Sequence, residues 1–117
     1  MKALFIDSKE RKIIEVNVSG LEDLQTYVGG WIALGTTLVK DNIENTVFVD
    51  DEGLLKEPSN YFYIKGSHQP FAGNGILVGT NDEGDSIDTN FNPSDIENLI
   101  EFLTISDVVD MVNQGRI

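Results

Sequence analysis

The chain contains no cysteine, and this absence excludes disulfide bonds, zinc sites built on thiolates and cysteine nucleophiles. The lack of thiols fits a reducing compartment, so we expect a cytoplasmic protein. No hydrophobic run approaches the roughly 20 residues that a membrane-spanning helix needs, and the segment 1–7 is too short for a signal peptide. We therefore expect no membrane partner.

Basic residues are also scarce: eight Lys and Arg stand against 20 Asp and Glu, which gives a formal net charge of −12. The imbalance grows along the chain, because residues 66–117 contain nine acids and a single base, Arg116. Such a surface repels phosphate groups, so direct binding of nucleic acid is not expected. The acidity favours solubility, and a surface that imitates nucleic acid and engages a basic protein is the sharper alternative.

A single histidine limits the catalytic chemistry. Nucleophilic catalysis needs a nucleophile, a base within hydrogen-bonding reach and a group that orients the base. Ser67 directly precedes His68, and neighbours in a chain do not normally align a hydroxyl with an imidazole for attack. We therefore predict that the protein is not an enzyme, although its many carboxylates leave an acid–base pair open.

Several segments have the alternation or the β-favouring composition of strands, and we predict one domain over residues 1–117. The predicted strands lie at 2–6, 12–18, 31–39, 46–49, 61–64 and 75–79. Gly35 predicts a bulge or a break inside its strand. The run 75–79 is bracketed by glycines and is typical of a strand buried on both faces.

Helices are predicted early and late in the chain. A capping-box pattern at Ser19–Glu22 begins a short helix that stops at Gly29-Gly30. The same pattern and an apolar stripe predict a helix over 94–103, and Ser106 begins a second short helix. Residues 80–92 are polar and acidic, so we predict a mobile loop. The fold class is α+β: a single, mostly antiparallel sheet with one short early helix and one or two C-terminal helices packed on it.

With these elements placed, the chain resembles a family of small phage- and plasmid-borne proteins, domain of unknown function 3846. The matching features are an opening Met-Lys-Ala-Leu strand, the signature Leu24-Gln25-x-x-Val28-Gly29-Gly30-x-Ile32, the turn Asp51-Glu52-Gly53-Leu54-Leu55 and the strand Gly75-Ile76-Leu77-Val78-Gly79. They span about residues 1–79, and the acidic segment 81–90 departs from the family's pattern. The resemblance implies an accessory role in a mobile element within a bacterial or phage-infected cytoplasm, and it supplies no catalytic residues.

The aromatic residues are the best candidates for contacting a partner. At strand spacing, Tyr61 and Tyr63 share one face and Phe62 takes the other. Plain core packing explains such residues, but aromatics are also common interface anchors. We predict a partner-binding surface from four aromatic residues: Trp31, Tyr61, Tyr63 and Phe71. His68 and Gln69, together with the backbone of 73–75, are the candidates for a small-ligand pocket.

The segment 82–88 is the best metal candidate, because hard cations such as calcium bind several carboxylate oxygens. Asp82, Asp85 and Asp88 would be the ligands. The EF-hand spacing fails, since Gly79 stands where the first Asp is required before Gly84. A solvated acidic loop is therefore the preferred interpretation.

Three functions from different classes remain. The preferred one is a non-enzymatic accessory protein of a phage or mobile element that binds a host or phage protein, with a basic partner favoured by the charge. The alternatives are a protein that sequesters a small ligand, and a minor enzyme that uses carboxylates or a loosely held cation. No cofactor is predicted. A homodimer through exposed sheet edges stays open.

Overall fold

The computed structural model describes residues 1–117 and contains two antiparallel sheets. The strands are β1 (Lys2–Asp7), β2 (Lys12–Asn17), β3 (Ile32–Lys40), β4 (Ile43–Asp50), β5 (Asn60–Ile64), β6 (Phe71–Ala72), β7 (Gly75–Thr80), β8 (Ser86–Ile87) and β9 (Ile100–Thr104). The helices are α1 (Leu21–Val28), α2 (Pro93–Glu97) and α3 (Ile105–Asn113), with a 3₁₀ helix at Gly53–Lys56. The predicted α+β class is confirmed.

The main sheet has the strand order β2-β1-β7-β4-β3, and β8 pairs with the end of β7. β7 lies at the centre and is buried from Gly75 to Gly79, as its glycine-bracketed apolar run predicted. Burial on both faces follows from the layering, because α1 covers one face of this sheet and the small sheet covers the other.

A second sheet, β6-β5-β9, corrects the prediction of a single sheet. The cause is the pairing of β5 with β9, in which Ile64 lies opposite Ile100 and Asn60 opposite Thr104. The apolar stripe at 94–103 predicted a helix throughout, but α2 ends at Glu97 and the following residues form β9. This tertiary pairing outweighs the helical spacing, and residues 100–104 are β-branched, aromatic or aliphatic apart from one glutamate.

Three hydrophobic clusters hold the layers together. Leu24 and Val28 pack α1 against the main sheet. Phe62 of β5 and Leu77 of β7 are both fully buried between the two sheets. Met111 packs α3 against the outer face of the small sheet. The order of layers is therefore α1, main sheet, small sheet and α3.

The helix caps lie one or two residues away from the predicted positions. Gly20 is the N-cap residue of α1, and the backbone N–H and hydroxyl of Ser19 donate to Asp23 rather than pairing with Glu22. Those two bonds hold the pKa of Asp23 below its ordinary value. α1 ends as predicted at Gly29, which has the left-handed conformation (φ 90°) that glycine adopts at low cost.

The C-terminal helices are capped by reciprocal side-chain and backbone bonds. Asn92 and Asp95 form the capping box of α2, and Thr104 and Asp107 form that of α3, in place of the predicted Ser94 and Ser106. The Lys40 ammonium, 2.6 Å away, and the Asn92 N–H lower the pKa of Asp95. The Thr104 N–H and hydroxyl lower the pKa of Asp107.

The acidic segment 80–92 is attached to the main sheet at its far end. Its first half is a turn in which the Asn81 side chain accepts from the N–H groups of Glu83 and Asp85. In its second half only Thr89 and Phe91 are buried: the Thr89 hydroxyl donates to the Asn45 side chain at 2.6 Å, and Phe91 joins the cluster between the two sheets. The mobility of residues 80–92 stays a prediction.

Candidate interaction surface

An apolar groove of about 230 Å³ lies at the end of the main sheet where β3 begins and β4 ends. One wall is the edge of the sheet, another is the 3₁₀ helix, and the third is the loop before β6. Its apolar lining consists of Ala33, Leu34, Val49, Leu54, Pro70, Phe71 and Ala72. We refer to these residues and the space between them as the groove.

Gly35 explains why the loop before β6 can approach the sheet so closely. The pairing of β3 with β4 shifts register between Leu34 and Thr36, which confirms the predicted bulge at Gly35. A Cβ atom there would lie 3.0 Å from the Val47 carbonyl oxygen and 3.3 Å from the Phe71 ring. The missing side chain therefore leaves the space that the Phe71 ring occupies, and it shapes one wall of the groove.

Lys56 fixes the 3₁₀ helix that forms the opposite wall. Its ammonium donates to the Asp50 carboxylate at 2.6 Å and to the Gly29 carbonyl at 2.9 Å. This contact joins α1, β4 and the 3₁₀ helix, with the Asp50 side chain shielded at 7% exposure and the Lys56 side chain 48% exposed. A Cβ at Gly30 would lie 2.8 Å from the Lys56 nitrogen. The Gly29-Gly30 pair thus serves two purposes: Gly29 ends α1, and Gly30 leaves room for the ion pair.

Large hydrophobic side chains project into solvent around the groove. Trp31 is 71% exposed, Leu34 65%, Leu54 66% and Leu55 81%. Trp31 precedes β3, and its carbonyl accepts from the Asp51 N–H at 2.8 Å, which holds it beside the end of β4. Single exposed hydrophobic residues are ordinary, but a group beside an apolar groove is typical of an interaction site.

The rim of the groove is negatively charged. Asp51, Glu52 and Glu57 are exposed in the turn and the 3₁₀ region beside it. The neighbouring cation, Lys56, is already paired with Asp50. An approaching group therefore meets uncompensated carboxylates next to exposed hydrophobic side chains.

The structure divides the six predicted binding residues into two groups. Phe71 and Gln69 line the groove, and Trp31 lies exposed near it. His68 and Gln69 line an adjacent polar recess of about 280 Å³ on the other side of Phe71. The Ser67 hydroxyl donates to the Ile64 carbonyl, so Ser67 is committed to the loop rather than to His68.

The two tyrosines lie elsewhere, which corrects the predicted surface. Tyr61 is 5% exposed and packs beneath α3 with Met111. Tyr63 packs against the same cluster, and its hydroxyl donates to the Ser67 carbonyl. They do share one face, with Phe62 on the other, but α3 covers that face and Tyr61 is part of the core.

Sequence reasoning missed the exposed leucines of the groove. Leu54 and Leu55 belong to the 3₁₀ helix and are exposed, and neither was among the residues predicted to bind a partner. The sequence did contain a signal for exposure. Two adjacent leucines stand between the charged segments Asp51-Glu52-Gly53 and Lys56-Glu57, and an apolar run of two residues is too short for a buried strand. Leu34 was missed because the bulge at Gly35 changes which residues share a face.

The residues proposed for a small-ligand pocket do not converge. Gly73 and Asn74 line a recess of about 290 Å³ together with Lys9 and Asn60. His68 and Gln69 lie in the separate recess beside Phe71. The Asn74 side-chain oxygen accepts from the Ser8 N–H, so part of this region holds the hairpin turn in place.

The three predicted metal ligands also do not come together, because Asp88 makes a structural hydrogen bond and the other two lie in a turn. Asp88 accepts from the Lys2 backbone N–H at 2.8 Å and fastens the acidic segment to β1. Asp82 and Asp85 lie in the exposed turn. Nowhere in residues 1–117 do three His, Asp or Glu side chains come together in a geometry suited to one metal ion.

None of the three helices combines the length and the hydrophobicity that crossing a bilayer requires. No curated protein and no solved structure matches the chain. One family does match, over residues 1–102, and the match includes the Gly29-Gly30 signature, the residues that line the groove and the acidic segment that had been interpreted as a departure. α3 lies beyond the matched range. The chain belongs to the DUF3846 family, described as a domain of unknown function.

Proposed function

We propose that this chain is a non-enzymatic, protein-binding accessory factor of a phage or mobile element, acting in the bacterial cytoplasm. Its partner is a basic host or phage protein that inserts an apolar side chain into the groove. The observation that carries the proposal is the group of exposed hydrophobic residues, Trp31, Leu34, Leu54 and Leu55, beside an apolar groove with an acidic rim.

The composition of this surface supports a protein partner rather than a small molecule. The groove has a mixed lining in which apolar side chains stand beside Asp50, Asp51 and Gln69, and the exposed hydrophobic side chains around it enlarge the surface available for contact. Tryptophan is enriched among the few residues that supply most of the binding energy at protein interfaces, and Trp31 is the exposed tryptophan of this surface. The carboxylates around them raise the rate of encounter with a basic partner and make the association sensitive to salt.

The experiment compares two variants that make the same kind of change at exposed positions. Leu54→Asn removes an apolar side chain from the groove, and Val112→Asn removes one from α3 on the other side of the small sheet; the two residues are 66% and 53% exposed. Each tagged protein is incubated with host lysate, and the recovered proteins are quantified by mass spectrometry.

We expect basic proteins that bind the wild type and Val112→Asn but are lost with Leu54→Asn. Raising the salt to about 0.5 M should also release them, because the rim charges are then screened. Equal recovery by all three proteins, or recovery of nothing by the wild type, would contradict the proposal.

A further inference from the structure

β3 is an open edge of the main sheet. It pairs with β4 alone, and the backbone groups of residues 32–39 make hydrogen bonds only to that strand. The opposite edge, β2, is protected by Lys12 and Glu15, and the latter lies 3.6 Å from the Lys2 ammonium. Residues 32–39 contain no charged residue and no proline. The bulge at Gly35 interrupts this edge, but neither charge nor proline blocks it, and an uncharged, unpaired edge is a template for another strand.

Acidic residues lie at both ends of this uncharged edge. Asp51 and Glu52 lie at the end where β3 begins, and Asp41 and Glu44 lie at the turn into β4. Lys40 adds no positive charge there, because its ammonium is 2.6 Å from Asp95. The eight residues between these ends span about 26 Å, at roughly 3.3 Å per residue.

We propose that β3 accepts an extended segment of the partner protein as an additional strand. This proposal rests on the proposed function and specifies how the partner is recognised. The segment has about six uncharged, β-favouring residues between basic residues, so that the basic residues reach the acidic ends of β3. Main-chain hydrogen bonds supply affinity, and the charged ends set the register.

Successive side chains of such a segment point to opposite faces of the main sheet and contact different residues there. On one face they meet Leu34, Thr37 and Val39, which are exposed. On the other they meet Gln69 and the Phe71 ring of β6, which line the groove beside Gly35. The added strand therefore places one of its side chains beside the groove, which joins the two parts of the surface.

Charge argues against a second copy of the chain in this position. Each copy carries a net charge of −12, and pairing two β3 edges would bring acidic ends together. The acidic ends of β3 attract a basic segment and repel a second copy of the chain. The free protein should accordingly be a monomer at low salt.

The test uses a synthetic peptide of alternating valine and threonine with two lysines at each end. Hydrogen exchange followed by NMR reports each β3 amide separately. The amides of residues 32–39 that make no hydrogen bond to β4 point away from it on both sides of the bulge at Gly35, and we expect them to exchange at least about tenfold more slowly with saturating peptide. A control peptide with proline at its centre, and a peptide with glutamate ends, should leave those amides unchanged.

A variant pair checks the location of the peptide. Val39→Lys places a charge on the edge and should weaken peptide binding at least about tenfold. Val112→Lys adds the same charge on α3 and should have little effect; both residues are exposed, so the fold tolerates either change.

Three results would overturn the inference. One is a peptide that perturbs the groove without protecting β3 amides, which leaves the proposed function standing. Another is a free protein that sediments as a dimer with those amides already protected, which assigns the edge to a second copy. The third is the absence of any response to the basic peptide. Failure of the proposed function itself appears separately, as loss of the difference between Leu54→Asn and Val112→Asn in lysate.

Discussion

Replacing Gly79 with alanine tests how tightly the acidic segment is packed on the main sheet. Gly79 lies in β7, opposite Asn45 of β4 on one side and Ile87 of β8 on the other. A Cβ atom at this position would overlap the Asp88 carbonyl oxygen and would lie 3.0 Å from the Ile87 side chain. Carbon atoms in favourable contact are about 3.5–4.0 Å apart, so β8 has to move.

The movement is costly because the segment is fastened on both sides of the overlap. The Asp88 carboxylate accepts from the Lys2 N–H at 2.8 Å, and the Thr89 N–H donates to the Lys2 carbonyl at 3.0 Å. Forcing a methyl group into a packed site costs about 1–3 kcal/mol, and each lost hydrogen bond costs about 1 kcal/mol. We expect Gly79→Ala to lower the free energy of unfolding by about 2–4 kcal/mol.

Urea unfolding followed by circular dichroism measures this loss, and the melting temperature should fall by roughly 4 °C for each kcal/mol. Gly20→Ala is the control, because no atom lies within 4 Å of a Cβ at that position. It should cost less than about 1 kcal/mol. A Gly79→Ala protein within about 0.5 kcal/mol of the wild type would refute the packing of β8 against β7.

Three further changes test the core, a helix cap and the wall of the groove. Ile96→Ala removes a fully buried side chain between the sheets and should cost about 2–5 kcal/mol in urea unfolding, against less than about 0.5 kcal/mol for Val112→Ala on the surface. Asp107→Asn removes a carboxylate whose pKa is lowered by the N–H of the α3 cap; the stability it contributes is fully present above its unfolded pKa of about 4 and is lost as the pH falls through the lowered value. The difference in urea midpoint between wild type and Asp107→Asn should therefore be constant above about pH 5 and should shrink below pH 4, and a difference independent of pH would contradict this cause. Lys56→Met leaves the shielded Asp50 carboxylate without its cation and should cost about 1–2 kcal/mol in the same assay, whereas an unchanged stability would show that the pair does not hold the 3₁₀ helix.

The parts of the fold that depend on local sequence were predictable. The hairpin of β1 and β2 follows from alternating residues on both sides of a polar turn, and its register runs without interruption from Lys2 opposite Asn17 to Asp7 opposite Lys12. The end of α1 at Gly29 follows from the need for a left-handed residue. These features require no knowledge of distant parts of the chain.

Residues 100–104 show where sequence reasoning failed. Ile96, Leu99, Ile100 and Leu103 have helical spacing, but Ile100 and Leu103 are also compatible with a strand. β5, about 40 residues earlier, supplies the hydrogen-bonding edge that decides between them. No local pattern carries that information, and the error in α2 led to the prediction of one sheet in place of two.

The candidate surface was predictable only where residue type alone indicated it, because exposure depends on the tertiary fold. Trp31, Gln69 and Phe71 were identified from residue type, and the structure brings all three to the beginning of β3. Tyr61 was wrongly placed at the surface, because α3 covers that face of the small sheet and only the tertiary fold shows it. Leu54 lies in the 3₁₀ helix, which the Lys56 ammonium ties to Asp50 and to the Gly29 carbonyl, and the contact with Gly29 joins parts of the chain that are distant in sequence.

The net negative charge of the chain opposes self-association through the open β3 edge. An uncharged β3 edge invites self-association, and many proteins prevent this with charges on the strand itself. Here residues 32–39 carry none, and the charge lies instead at the two ends of the strand and over the rest of a surface with a net charge of −12. Charge repulsion between two copies then opposes their pairing through β3. The backbone of β3 stays free to pair with a segment of opposite charge. In the proposed mode of binding, the carboxylates that repel a second copy also attract a basic segment of the partner.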